Sequence, residues 1–89
     1  MDLSILVPAL DDRALLAEAL PLILDEAGAS GLEWELLVVD DTGRDALSGW
    51  LGREFPEAQC LAREVNGGYA AAVLTGAHAA RGAVLRVLS

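Results

Sequence analysis

The chain has 89 residues, of which 54% are apolar but only 4% aromatic, and a formal net charge of −8. A chain of this size buries only about 60–65% of its unfolded surface, so it forms at most one small domain, spanning residues 1–89. All six basic residues are arginine, and so acidic a chain carries no electrostatic footprint for nucleic acid or an anionic membrane.

The N-terminus, Met1-Asp2-Leu3-Ser4, lacks the basic region of a signal peptide. Leu3-Ser4-Ile5-Leu6-Val7 reads as a first strand that stops at Pro8, which cannot donate to a ladder. Ala9 to Asp12 is then a loop, and Asp11 or Asp12 can cap the helix that starts near Arg13. Leu15, Leu16, Ala19, Leu20, Ile23, Leu24 and Ala27 form a helical stripe. Pro21 inside it predicts a kink or break near Leu20, and Gly28 and Gly31 end the helix.

Trp34 to Val39 reads as the second strand, and its run Leu36-Leu37-Val38-Val39 marks it as buried on both faces. It delivers two adjacent carboxylates, Asp40 and Asp41, to the sheet edge, where ligands sit in open α/β folds. The competing local reading makes Asp41 the cap of the next helix and Asp40 solvated turn filler. Thr42 to Arg53 predicts a weaker second helix, interrupted by Gly49 and Gly52 and broken at Phe55-Pro56. Ala58 to Ala62 reads as a short third strand carrying Cys60, the one cysteine. With no disulfide possible, a reducing, cytoplasmic setting is expected.

Gly68 or Tyr69 to Arg81 reads as a thin, Ala-rich third helix, with Arg81 in its last turn and Gly82 after it. The longest uncharged run, Val65 to Ala80, is too short and too polar to cross a bilayer. Ala83 to Leu88 reads as a fourth strand. Alternating strands and helices predict βαβ units and an α/β, three-layer sandwich with a four-stranded parallel sheet ordered 3-2-1-4. That order brings the Pro8–Asp12 loop and the Asp40–Asp41 pair to one rim.

Three common α/β sites lack their residues here. The turn after the first strand has no glycine and two anions, against a dinucleotide fingerprint. The chain has no lysine for a P-loop, nor for a receiver domain.

Four motifs together carry a resemblance. Ser4-Ile5-Leu6-Val7-Pro8-Ala9 with Asp11-Asp12, Val38-Val39-Asp40-Asp41-Thr42-Gly43, Asn66-Gly67-Gly68-Tyr69-Ala70-Ala71-Ala72 and Ala79-Ala80-Arg81-Gly82-Ala83-Val84-Leu85 resemble family 2 glycosyltransferases in order and spacing. The fold of that family is called GT-A, and its nucleotide-binding half is Rossmann-like. The resemblance covers essentially the whole chain. It implies a donor site for a nucleotide-diphosphate sugar, UDP- or GDP-linked. It maps the loop that frames the nucleoside to Pro8, Ala9, Leu10 and Asp12. It maps the acceptor for a ring N–H of the base to Asp40, with Asp41 beside it, and the remaining pocket wall to Asn66 and Gly68.

Four positions depart from the family pattern. Leu10 stands where an aromatic is common, Asp11 replaces Asn, Thr42-Gly43 inverts Gly-Ser, and Gly67 replaces a basic residue. In the family an Asp-x-Asp motif after the fourth strand holds Mg or Mn on the diphosphate. The chain given ends at Ser89, ahead of that motif. No catalytic or metal-ligating residue is therefore expected in it, and it is not expected to transfer sugar alone.

Among single residues, Cys60 reads as core, His78 as surface filler, Trp34 and Trp50 as packing, and Arg44 and Arg53 as solvated. Tyr69 is a candidate to stack on a base. Two other readings stand beside the donor site: a non-catalytic module of the same fold, and an unrelated α/β domain. The apolar fourth strand predicts a homo-oligomer through its edge.

Overall fold

The computed structural model describes residues 1–88. Strand β1 (Leu3–Ala9) is followed by helix α1 (Arg13–Ala29), β2 (Trp34–Asp40), α2 (Ser48–Glu54), β3 (Ala58–Ala62), α3 (Tyr69–Ala79) and β4 (Val84–Val87). The four strands form one parallel sheet in the order β3-β2-β1-β4, as the alternation predicts. Among the described residues, no helix is long and apolar enough to cross a membrane.

The pleat divides the core in two. Ile5, Val7, Leu36 and Val38 point to one face, where Leu16 and Leu20 of α1 and Leu51 of α2 cover them. Leu6, Leu37 and Val39 point to the other face, against Ala72 of α3. The result is three layers, with α1 and α2 on one side and the thin α3 on the other. Leu6, Leu20, Leu36, Leu37, Leu47 and Leu51 are the largest fully buried apolar side chains. Each contributes roughly 1.5–3 kcal/mol through burial.

Five predicted boundaries move, each for a local reason. Strand β1 runs through Pro8 to Ala9, with Pro8 in register with Val39. The carbonyl of Leu6 accepts from the Leu88 amide, so even-numbered residues of β1 face β4. Pro8 therefore faces the space past the last β4 residue, where no donor is required. Helix α1 continues unbroken through Pro21, an exposed position. Asp12 occupies its N-cap position, but only the Asp12 carbonyl bonds the first turn, accepting from the Leu16 amide.

Helix α2 begins at Ser48 rather than Thr42, because Gly43 and Asp45 take positive φ angles of 76° and 50°. Helix α3 stops at Ala79, short of Arg81, and β4 is confined to Val84–Val87. A buried polar cluster draws Arg81 and Gly82 out of the helix. Glu35 Oε2 accepts from Ser4 Oγ at 2.6 Å and from the Arg81 amide at 2.7 Å. Glu35 Oε1 accepts from Arg81 Nε at 3.1 Å, and Ser4 Oγ accepts from the Gly82 amide at 2.8 Å. A Cβ on Gly82 would lie 2.5 Å from the Ser4 amide nitrogen, so glycine is required by close approach. Burial pushes the Glu35 pKa up, but the bonds from Ser4 and Arg81 outweigh it and leave it below the ordinary value.

Candidate functional site

The two carboxylates at the end of β2 are separated by the same pleat that divides the core. Asp40 follows Leu36 and Val38 onto the α1/α2 face, and Asp41 follows Leu37 and Val39 onto the α3 face. Each therefore serves a different loop.

Asp40 is fully buried. Its Oδ1 accepts from the Thr42 amide at 2.9 Å and the Thr42 hydroxyl at 2.6 Å. Its Oδ2 accepts from the Leu47 amide at 3.0 Å, at the N-cap position of α2. Burial pushes its pKa up, but the bonds from Thr42, Leu47 and Ala46 prevail and hold it below the usual carboxylate value. Asp40 thus ties the β2–α2 loop to the sheet. It is neither solvated filler nor, in this arrangement, a wall of the cleft described next.

Asp41 performs the equivalent task for the β3–α3 loop. Its Oδ1 accepts from Arg63 Nη1 at 2.7 Å and the Gly67 amide at 3.1 Å, and its Oδ2 from the Gly68 amide at 2.8 Å. The Gly67 amide, then the Arg63 guanidinium, with the Gly68 amide, hold its pKa down against burial. Gly68 sits at the N-cap of α3 with φ 88°, a conformation that only glycine adopts readily. A carboxylate has about four acceptor positions, so one on Asp41 Oδ2 stays open.

Asp41 lines a cleft of about 450 Å³ at the carboxyl end of the sheet, between α1 and α3. The cleft sits beside β1 where β4 has ended, the point at which strand order reverses. Pro8, Ala9, Leu10, Asp12, Asp41, Asn66 and Gly68 all line it. Seven of the eight sequence candidates are thus brought together, and Asp40 is the one set apart.

Residues 4–89 match the family model for glycosyl transferase family 2. The chain belongs to that family. No curated protein matched it.

Sequence reasoning missed part of this family 2 cleft. Leu15, Leu16 and Ala19 line it from α1, because the first turns of that helix face the cleft as well as the core. Tyr69, the candidate for stacking, also lines it. Arg63 carried no motif signal, yet it holds Asp41. Arg44 is not solvated alone: its Nη2 lies 2.8 Å from Asp11 Oδ2 and joins the two loops before α1 and α2.

Glycosyl transferase family 2 generally uses a divalent cation. Among the described residues no three His, Cys, Asp or Glu side chains converge as a site for one. Asp12 and Asp41 are the two carboxylates in the cleft lining, and two alone do not make up a cation site. Cys60 is half-buried, and burial with the charges of Asp40 and Asp45 pushes its thiol up to about 11. It is an inert core thiol rather than a nucleophile.

Proposed function

We propose that the cleft binds the nucleoside of a UDP- or GDP-linked sugar, as the donor-binding portion of a GT-A glycosyltransferase. The carrying observation is Asp41, which accepts three hydrogen bonds of about four possible, in the lining of a cleft that Pro8, Leu10 and Tyr69 also wall. Uracil and guanine carry a ring N–H that can donate to Asp41, whereas adenine and cytosine present ring acceptors there. This reading moves the base contact from Asp40 to Asp41, since Asp40 is enclosed by its own loop. A single cysteine, which leaves no internal disulfide, is in keeping with a reducing, cytoplasmic setting.

Calorimetric titration of UDP, GDP, ADP and CMP tests the reading. UDP or GDP should bind, and Asp41→Asn should weaken that binding at least tenfold. If none binds to the folded protein, the reading falls. We propose further that the chain binds donor without turning it over, because the described residues do not gather the carboxylates that would hold a cation on the diphosphate. A donor-hydrolysis assay above a no-protein control is the check.

A second reading, a non-catalytic module that pairs with its own copy, is favoured by β4. Val84 is 60% and Leu85 41% exposed on this edge strand, and among the described residues no strand lies on its outer side. Light scattering at rising concentration should then show a dimer, and a monomeric mass throughout rejects it.

A further inference from the structure

Gly67 has no backbone reason to be glycine. Its φ lies outside the left-handed region, unlike that of Gly43 or Gly68. Two neighbours exclude a side chain: a Cβ on Gly67 would fall on Arg63 Nη1, 3.1 Å from its Cζ, and would lie 2.9 Å from Ala71 Cβ. The guanidinium thus lies across the bare backbone of residue 67. From there it makes three contacts: Nε to Thr75 Oγ1 at 2.9 Å, and Nη1 to Asp41 Oδ1 at 2.7 Å and to the Val65 carbonyl at 3.4 Å. The backbone of Arg63 is itself fixed, its amide donating to the Asp40 carbonyl at 2.8 Å. Its side chain is only 19% exposed and that of Asp41 5%, so water screens the pair poorly.

We propose that Arg63 is the positioning residue of the cleft: reaching over Gly67, it fixes the Asp41 carboxylate so that the open acceptor on Oδ2 meets a nucleobase N–H. Arg63 and Gly67 form a matched pair, in which each residue sets what the other can be. By filling two acceptor positions of Oδ1, Arg63 and the Gly67 amide leave the ligand one place to donate, on the other oxygen. Arg63 does this without touching the ligand, since it does not line the cleft. Lysine cannot replace it, because one ammonium cannot hold Thr75 and Asp41 with the geometry of a planar fork.

The inference rests on the nucleoside reading, and the test separates the two. UDP and GDP are titrated calorimetrically into the wild type, Arg63→Ala, Arg63→Lys, Gly67→Ala and the Arg63→Ala/Gly67→Ala double variant. Carboxyl NMR follows the Asp41 titration in each, without nucleotide. Arg63→Ala should weaken binding roughly tenfold, the worth of one charge-assisted hydrogen bond. Arg63→Lys should not recover it. Gly67→Ala should lose at least that factor, because the new methyl displaces the flexible end of Arg63 and also presses on Ala71 Cβ. The double variant should bind better than the product of the two single losses, because once Arg63 is gone the new methyl meets only Ala71 Cβ. The Asp41 pKa should rise in every variant, a change that loss of packing alone does not produce.

If the wild type binds but Arg63→Ala binds within twofold of it, or the two single losses multiply, or the Asp41 titration does not move, the role of Arg63 is overturned and the nucleoside reading stands. If the folded wild type binds neither nucleotide, both fall.

Discussion

At the amino end of the sheet Glu35 accepts from Ser4 and from the amide and guanidinium of Arg81. At the carboxyl end Asp41 accepts from two amides and the guanidinium of Arg63. Both carboxylates are nearly buried, both pair with an arginine from another element, and both have lowered pKa values. Only the second borders a cleft. Gly82 brings its backbone down onto Ser4 and closes the amino end, whereas β1 outruns β4 and leaves the carboxyl end open. A buried ion pair with a perturbed pKa therefore does not identify a site by itself. The space beside it decides.

Four measurements can break or sharpen this contrast. The largest effect is expected from Asp40→Ala, which leaves the Thr42 amide and hydroxyl and the Leu47 amide without their acceptor. It should lower stability in urea unfolding by about 3 kcal/mol. At the closed end, Glu35→Gln should cost about 2 kcal/mol of stability and leave nucleotide affinity unchanged, again by urea unfolding and calorimetry. A changed affinity would dissolve the distinction between the ends.

The third measurement is acid unfolding. Asp40, Asp41 and Glu35 all have folded pKa values below their unfolded ones, so each favours folding fully above the unfolded value of about 4. That contribution is lost as pH falls through the lower folded values. Unfolding followed by circular dichroism should therefore set in below about pH 4, and Glu35→Gln should flatten the pH dependence. The smallest effect is expected from Arg44→Ala. Its partner Asp11 is exposed, so stability should change by less than about 0.5 kcal/mol.

The alternation of apolar runs with helical stripes made the order 3-2-1-4 legible in the sequence, and seven of the eight site candidates named from it line the cleft. The division of labour between Asp40 and Asp41 was also within reach. Adjacent strand residues point to opposite faces, so two consecutive aspartates cannot serve one pocket equally. Treating the pair as a unit concealed this. Arg63 and the Ser4–Glu35–Arg81 cluster were not legible, because each joins residues far apart in sequence. Strand ends were misplaced where a donor was assumed necessary, as at Pro8.

Pro8 has a consequence for register. Strand β4 has four residues, and its alignment against β1 is set just ahead of it, where Gly82 packs on Ser4 and Arg81 bonds Glu35. A slip of two residues toward the cleft keeps every side chain on its face, so patterning alone does not forbid it. It would, however, break those contacts and set another β4 carbonyl opposite Pro8, the one residue of β1 that has no proton to give. The unmatched carbonyl would cost on the order of 1 kcal/mol or more. One imino acid thus withholds the next rung of the ladder, and the pairing of β1 with β4 ends short of the cleft mouth.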